Sequence, residues 1–164
     1  MPGSDYEEDI HPIQIFEILA ARHHWEYEYI AENQVAMAIE GQWRTYSITL
    51  AWSSFDETLR LICTFDMDPP AERMPALYES LNSVNDQCWA GAFTYWAEAK
   101  LMVFRYGLIL TGGTVASTEQ ITMMINAAVQ SAERYYPAFQ LVAWGNRDPK
   151  DALEIAIAEA YGRA

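Results

Sequence analysis

The chain has 164 residues, of which 51% are hydrophobic, a length that suits one domain with a sizeable core. Its 23 acidic and 10 basic residues give a formal net charge of −13, which disfavours binding to nucleic acid or to an anionic membrane. The acidic start and the lack of an apolar run of ~20 residues predict a cytoplasmic protein. We expect residues 1–8 to be a flexible segment and residues 9–161 to form one domain.

The first half of the chain predicts one helix followed by four strands. Apolar residues recur at helical spacing over residues 9–23, and Asp9 is in position for the N-cap. Alternation of polar and apolar residues then indicates a hairpin over 25–41 and two further strands over 43–52 and 59–66. The connections are short, so the four strands should form an antiparallel meander.

Two prolines separate this meander from the next helix. Asp68 stands directly before them, where it is expected to cap a helix over 71–88. Two more strands are indicated, over 92–96 and 100–110. The second is almost continuously apolar, a pattern typical of a central strand that is covered on both faces.

The last part of the chain predicts two helices. Ser117 and Gln120 have the spacing of a capping box at the start of an amphipathic helix over 118–136, and Pro137 should end this helix or begin a new turn. A shorter helix follows over 148–161. The resulting order, α-β-β-β-β-α-β-β-α-α, indicates an α+β fold in which helices pack on an antiparallel β-sheet.

The sequence contains no recognisable pattern for catalysis or metal binding. His23 and His24 are adjacent, so on a helix their side chains point about 100° apart and cannot share a metal without a third ligand. Gly112 and Gly113 precede a helix but lack a phosphate-loop motif, which favours a turn with positive φ. The two cysteines do not have zinc-site spacing. We therefore expect a protein that is not an enzyme and holds no metal or cofactor.

Aromatic residues are more frequent than a core of this size needs, with six tryptophans in the chain. Most are expected to pack in the core, but aromatic side chains with a polar tip are also enriched at protein interfaces. Six aromatic residues form our candidate protein-binding surface: Trp25, Tyr27, Tyr29, Trp43, Trp89 and Trp96.

Four segments of the chain resemble one bacterial protein family. They are LYESLNSVND (77–86), MVFRYGLILTGG (102–113), TEQITMMINAAVQSAERYYPAFQLVAWG (118–145) and DPKDALEIAIAE (148–159). On these segments the chain resembles the YbjN-domain family over about residues 9–161. The resemblance implies a bacterial sensory-transduction regulator linked to stress tolerance and motility, with a fold like that of type III secretion chaperones. It also implies a dimer without enzymatic activity, and it transfers no catalytic residue.

Two hypotheses for function follow. In the first, a chaperone-like homodimer holds an extended segment of a client protein at a sheet edge or in an apolar groove, and its acidic charge favours a basic client. Its dimer interface should come from the sheet and from helix 71–88. In the alternative, the protein is a small-molecule sensor or a cryptic enzyme. Its pocket would then lie between helix 118–136 and the sheet, where Arg105, Tyr106 or Glu133 could supply polar groups.

Overall fold

The computed structural model describes residues 11–162, and its elements follow the predicted order. The helices are α1 (Pro12–His23), α2 (Met74–Asn85), α3 (Thr118–Ala143) and α4 (Pro149–Gly162). The strands are β1 (Glu28–Ala31), β2 (Gln34–Glu40), β3 (Thr45–Ser53), β4 (Thr58–Asp66), β5 (Ala92–Trp96) and β6 (Leu101–Ile109). One turn of 3-10 helix, Ala71–Arg73, precedes α2. The expected flexible segment 1–8 and the expected N-cap Asp9 lie outside the described residues.

The six strands form one antiparallel sheet with the order β1-β2-β3-β4-β6-β5. The first four strands are neighbours both in sequence and in space, because their connections are only a few residues long. β6 pairs with β4 along its whole length, and β5 pairs with β6. The predicted α+β fold with an antiparallel sheet is confirmed, and β1 and β5 are the two edges of the sheet.

The helices lie on one face of the sheet, which we call the core face. Tyr46, Ile48 and Leu50 of β3 point into the core from this face and are fully buried. Ile125 and Phe139 of α3 belong to the same hydrophobic cluster. The opposite face, which we call the outer face, carries no helix within residues 11–162. A sheet of this kind buries one face and leaves the other available to solvent or to a partner.

The prediction that β6 is covered on both faces is wrong. Arg105, Gly107 and Ile109 lie on the outer face of this strand and are exposed, and Ile109 keeps 70% of its accessible surface. The described helices pack only on the core face, so no layer covers the outer face, and Val103 is buried there only by its neighbours Thr64 and Thr94 on the adjacent strands. The apolar run therefore indicated the type of element correctly but not its burial.

The prediction that Pro137 ends the long helix is also wrong, because α3 continues to Ala143. Proline lacks an N–H, so the helix loses its bond to the carbonyl of Glu133. The turns beyond it are held by burial instead, since Ala138, Phe139 and Val142 are all fully buried. Tertiary packing thus outweighs the local cost of the proline.

The predicted cap at Asp68 does not form. The carboxylate of Asp68 pairs with Lys100 at 3.4 Å, and the 3-10 turn that leads into α2 has no side-chain cap. A residue before proline is held in an extended conformation, and two prolines in succession carry the chain away from Asp68 before the first helical turn. The carboxylate is therefore remote from the N–H groups it was expected to cap.

Candidate functional site

Three of the six candidate aromatic residues are half-buried at the margin of the core. The ring of Trp25 stacks on His23 with centroids 4.8 Å apart. The hydroxyl of Tyr27 donates a hydrogen bond to Glu17 at 2.9 Å. Trp43 stacks on Tyr136 at 6.4 Å. Trp25 and Tyr27 also precede β1 rather than lying within it, because the ladder to β2 begins only at Glu28.

The other three candidates are exposed but stand far apart. Tyr29 is 50% exposed on β1, Trp89 is 98% exposed in the connection from α2 to β5, and Trp96 is 40% exposed at the end of β5. β1 and β5 are opposite edges, five strand spacings or roughly 24 Å apart. Tyr29 pairs with the buried Val35 on the core face, whereas Trp96 pairs with Leu101 on the outer face. The structure does not bring the six residues together into one continuous patch.

The edge formed by β1 is open. All four of its residues are exposed, and Tyr29 and Ile30 each keep about half of their accessible surface. Among residues 11–162 the strand pairs with β2 alone, and its register shifts between Tyr29 and Ala31. Glu28 lies on the strand, with Glu26 and Glu32 on either side of it. The edge thus combines unpaired backbone groups, two apolar side chains and negative charge.

The edge formed by β5 is closed in its middle by a side chain of α2. The Asn85 amide donates to the backbone carbonyl of Phe93 at 2.9 Å and accepts the backbone N–H of Phe93 at 2.7 Å. These two bonds replace those that a neighbouring strand would make at this position. Sheet edges with free backbone groups recruit further strands, so Asn85 protects this edge.

The outer face is slightly concave over β4, β6 and β5, and the concavity has a volume of about 830 Å³. Arg60 is paired with Asp56 at 2.8 Å, whereas Arg105 forms no ion pair with any described residue. Val103 is fully buried between Thr64 and Thr94, its direct neighbours on the adjacent strands.

The polar residues expected to converge in a pocket do not do so. Arg105 points to the outer face, and Tyr106 is the next residue along β6 and points to the core face. Glu133 lies beside the turn between β2 and β3. Buried side chains such as Ile125 and Phe104 fill the space between α3 and the sheet. The expected position of a ligand pocket is therefore occupied by core.

Glu133 serves a structural purpose. Its carboxylate accepts the backbone N–H groups of Gln42 and Trp43 and the hydroxyl of Tyr46, the last at 3.0 Å. Burial, reinforced by the nearby Glu133 carboxylate, raises the pKa of Tyr46, so its hydroxyl remains a donor. A side chain at Gly41 would collide with Glu133 and Tyr46, which explains the glycine in this turn.

The sequence and the fold of the chain both resemble those of known proteins. The model of the YbjN family, described as "Putative bacterial sensory transduction regulator", matches residues 12–141. The chain belongs to this family. No curated protein matches the chain.

Two solved structures resemble this YbjN-family chain. The crystal structure of YbjN from E. coli is similar with a TM-score of 0.55, covering 84% of this chain and 93% of that one at 7% sequence identity. A structure of the HopA1-SchA chaperone-effector complex has a TM-score of 0.49, covering 71% of this chain and 88% of the matched chain at 12% identity. The first similarity shows a shared fold.

Reactive and metal-binding groups are scarce in the described part of this YbjN-family chain. Residues 11–162 contain no cluster of three or more histidine, cysteine, aspartate or glutamate side chains arranged to hold a metal. Burial raises the pKa of the Cys63 thiol to about 12 and also raises the pKa of Cys88. Both thiols are therefore protonated at neutral pH and are weak nucleophiles. Within the same residues, each helix is too short or too polar to cross a bilayer.

The sequence patterns missed the residues that distinguish the two edges of the sheet. Asn85 is eight residues from Phe93, with a turn between them, and no helix or strand period links the two. In the alternating pattern, Ile30 occupies the same set of positions as Glu26 and Glu28, which was expected to be polar. It was therefore not among the candidates. The sequence signal that could have identified this edge is the set of glutamates at 26, 28 and 32, because charged side chains are typical of edge strands.

Proposed function

We propose that this YbjN-family protein is a non-enzymatic adaptor that binds an extended segment of another protein along the free edge of β1. The open edge itself carries the proposal. β1 offers backbone groups that have no partner strand in the described part of the chain, and Tyr29 and Ile30 can pack against alternate side chains of an added strand. The opposite edge is protected by Asn85, so a single edge is available for addition.

The charge around β1 supports a basic client. Glu26, Glu28 and Glu32 surround the edge, and the whole chain has a formal net charge of −13. Opposite charge accelerates encounter and suppresses wrong partners, and both effects weaken as salt is added. Binding of the client should therefore be strongest at low ionic strength.

The proposal includes pairing with a second copy and a cytoplasmic location. Pairing through the sheet and α2 is the arrangement that we infer from the family resemblance. The location is supported by the two cysteines, which are both free, because reducing compartments maintain thiols in this state.

A photoreactive amino acid placed at Tyr29 tests client binding in the native bacterium. We expect crosslinks to proteins whose attached segment is basic and extended, sought first in cells under stress or during motility. Phe55 is the matched control position, because it is 97% exposed in the turn between β3 and β4 and distant from the β1 edge. Crosslinking at position 29 that is no stronger than at position 55 would contradict the proposal.

A small-molecule sensor is the second candidate function, and one cavity favours it. The cavity has a volume of about 380 Å³ and lies between α3, α4 and the end of α2, not between α3 and the sheet. Its lining consists of Gln87, Arg134, Tyr135, Ile157, Ala160 and Tyr161. Arg134 forms no ion pair with a described residue, so a metabolite that carries a carboxylate fits best. A carboxylate that raises the melting temperature of the wild type but not of Arg134→Ala would support this function.

A further inference from the structure

Two unpaired charges of opposite sign stand in one row across the outer face. The row follows the register of neighbouring strands and consists of Glu28, Ala36, Thr49, Ile62, Arg105 and Ala92. Glu28 and Arg105 are exposed and form no ion pair with any described residue. They are four strand spacings apart, roughly 19 Å, so they cannot pair with each other within one chain.

The two charges are placed symmetrically about β3. Glu28 lies two strands to one side of Thr49, and Arg105 lies two strands to the other side. A second copy turned by 180° about a line along β3 would place its Arg105 over Glu28 and its Glu28 over Arg105. Such a turn is the symmetry of a two-fold interface, in which each contact occurs twice. A turn about a line across the strands would instead place Glu28 over Glu28 and Arg105 over Arg105. The turn along β3 also brings Glu40 over Asp66 of the other copy, but Asp66 is already paired with Arg44 at 3.8 Å.

We propose that the outer face is the interface of a homodimer whose two-fold axis runs along β3. This inference rests on the pairing that is part of the proposed function, but it places the interface on the sheet alone, because α2 packs on the core face. Ser47, Thr49 and Ala51 lie on the axis, and their small side chains allow two sheets to approach to about 10 Å. Ile62 of each copy then packs over Ala36 of the other.

The size of the face is sufficient for a stable pair. From β1 to β6 the sheet is roughly 19 Å wide, and strands of nine residues are about 30 Å long. β1 and β2 have only four and seven residues, so the overlap is on the order of 500 Å² per copy, or about 1,000 Å² in total, which is the least expected of a specific interface. The free edge of β1 points within the plane of the sheet, so it stays accessible to a client in this pair.

Charge reversal tests the geometry, with sedimentation velocity across a dilution series as the readout. We expect a wild-type dimer that is weakened about 10- to 100-fold by Arg105→Glu and by Glu28→Arg, because each change creates two like-charge contacts. Combining both changes exchanges the charges and should restore the wild-type dissociation constant to within about 3-fold. Glu28→Arg lowers the net negative charge, so general repulsion between acidic subunits would predict tighter association for this variant.

Lys150→Glu and Glu154→Arg, both on α4, are matched controls. They change net charge by the same amounts at exposed helix positions, and they should leave the dissociation constant unchanged. Unaltered melting temperatures of the variants would show that each is folded. A wild-type mass of one chain would overturn the pairing altogether. If the wild type is a dimer and the single charge reversals leave its dissociation constant unchanged, only this interface is overturned. Client binding at Tyr29 is tested separately.

Discussion

Glu133 joins the long helix α3 to the turn between β2 and β3. It accepts two backbone N–H groups of this turn and the hydroxyl of the fully buried Tyr46. A buried donor that loses its acceptor costs more free energy than the bond itself contributes on average. The carboxylate therefore has a structural effect that its half-buried position on a helix surface does not suggest.

Replacing Glu133 with alanine should lower the free energy of unfolding by about 1–3 kcal/mol, because three donors lose their acceptor at once. Urea unfolding at neutral pH measures the loss. Glu154→Ala is the matched control, since Glu154 is exposed on α4. Equal stability of the two variants would contradict the structural assignment of Glu133.

His11 caps α1 through a bond that requires an unprotonated nitrogen. Its Nδ1 accepts the N–H of Ile13 at 3.1 Å, and the Gln14 side chain accepts the backbone N–H of His11 in return. Burial lowers the pKa of His11 below its ordinary value of 6.5. As the pH falls, the unfolded chain therefore takes up a proton before the folded chain does. The stability contributed by this histidine is present above pH 6.5 and is lost between pH 6.5 and the lowered pKa.

His11→Asn should reduce the pH dependence of stability, because asparagine caps a helix without titrating. We expect the free energy of unfolding to fall less in this variant than in the wild type between about pH 7.5 and about pH 5.5. Identical losses in both proteins would show that the cap does not depend on the neutral imidazole.

At the scale of elements, the strongest periodic patterns predicted the structure well. The capping box of Ser117 and Gln120 is present at the start of α3. The alternation in β3 and β4 places the expected residues in the core. These features depend on neighbours within one turn or along one strand, so the local sequence contains the information that specifies them.

Truncation of Ile125 to alanine should cost about 2–5 kcal/mol, because this residue is 2% exposed and packs between α3 and the sheet. Met123→Ala on the same helix is the control, since Met123 is 64% exposed and its loss should stay within about 0.5 kcal/mol. Chemical denaturation of both variants gives the comparison. Similar losses at the two positions would show that α3 docks by a different face.

At the scale of the whole molecule, the sequence patterns failed where the length of a helix or the burial of a strand depends on residues distant in the sequence. Pro137 remains inside a helix because later turns are buried. The outer face of β6 has no covering layer because every described helix lies on the other side of the sheet. The candidate site was affected in the same way. Aromatic content pointed to an interaction surface, but only the strand order shows that Tyr29 and Trp96 are at opposite edges.

The outer face of the sheet and the β1 edge have separate proposed functions. The outer face would pair two copies, and the β1 edge of each copy would remain free for a client. Neither task requires a catalytic group, and both depend on a sheet that has helices on a single face. The protection of β5 by Asn85 then limits strand addition to one edge of each subunit.

Amide hydrogen exchange tests the central claim most directly. The segment captured by the crosslinker at Tyr29 would be added as a synthetic peptide, with a scrambled peptide of the same composition as the control. We predict that exchange slows at the backbone amides of Glu28–Ala31 and not at those of Ala92–Trp96, and that this protection weakens as salt is raised. Unchanged exchange along β1, with protection around Arg134 and Tyr161 instead, would contradict the account and favour a site between the helices.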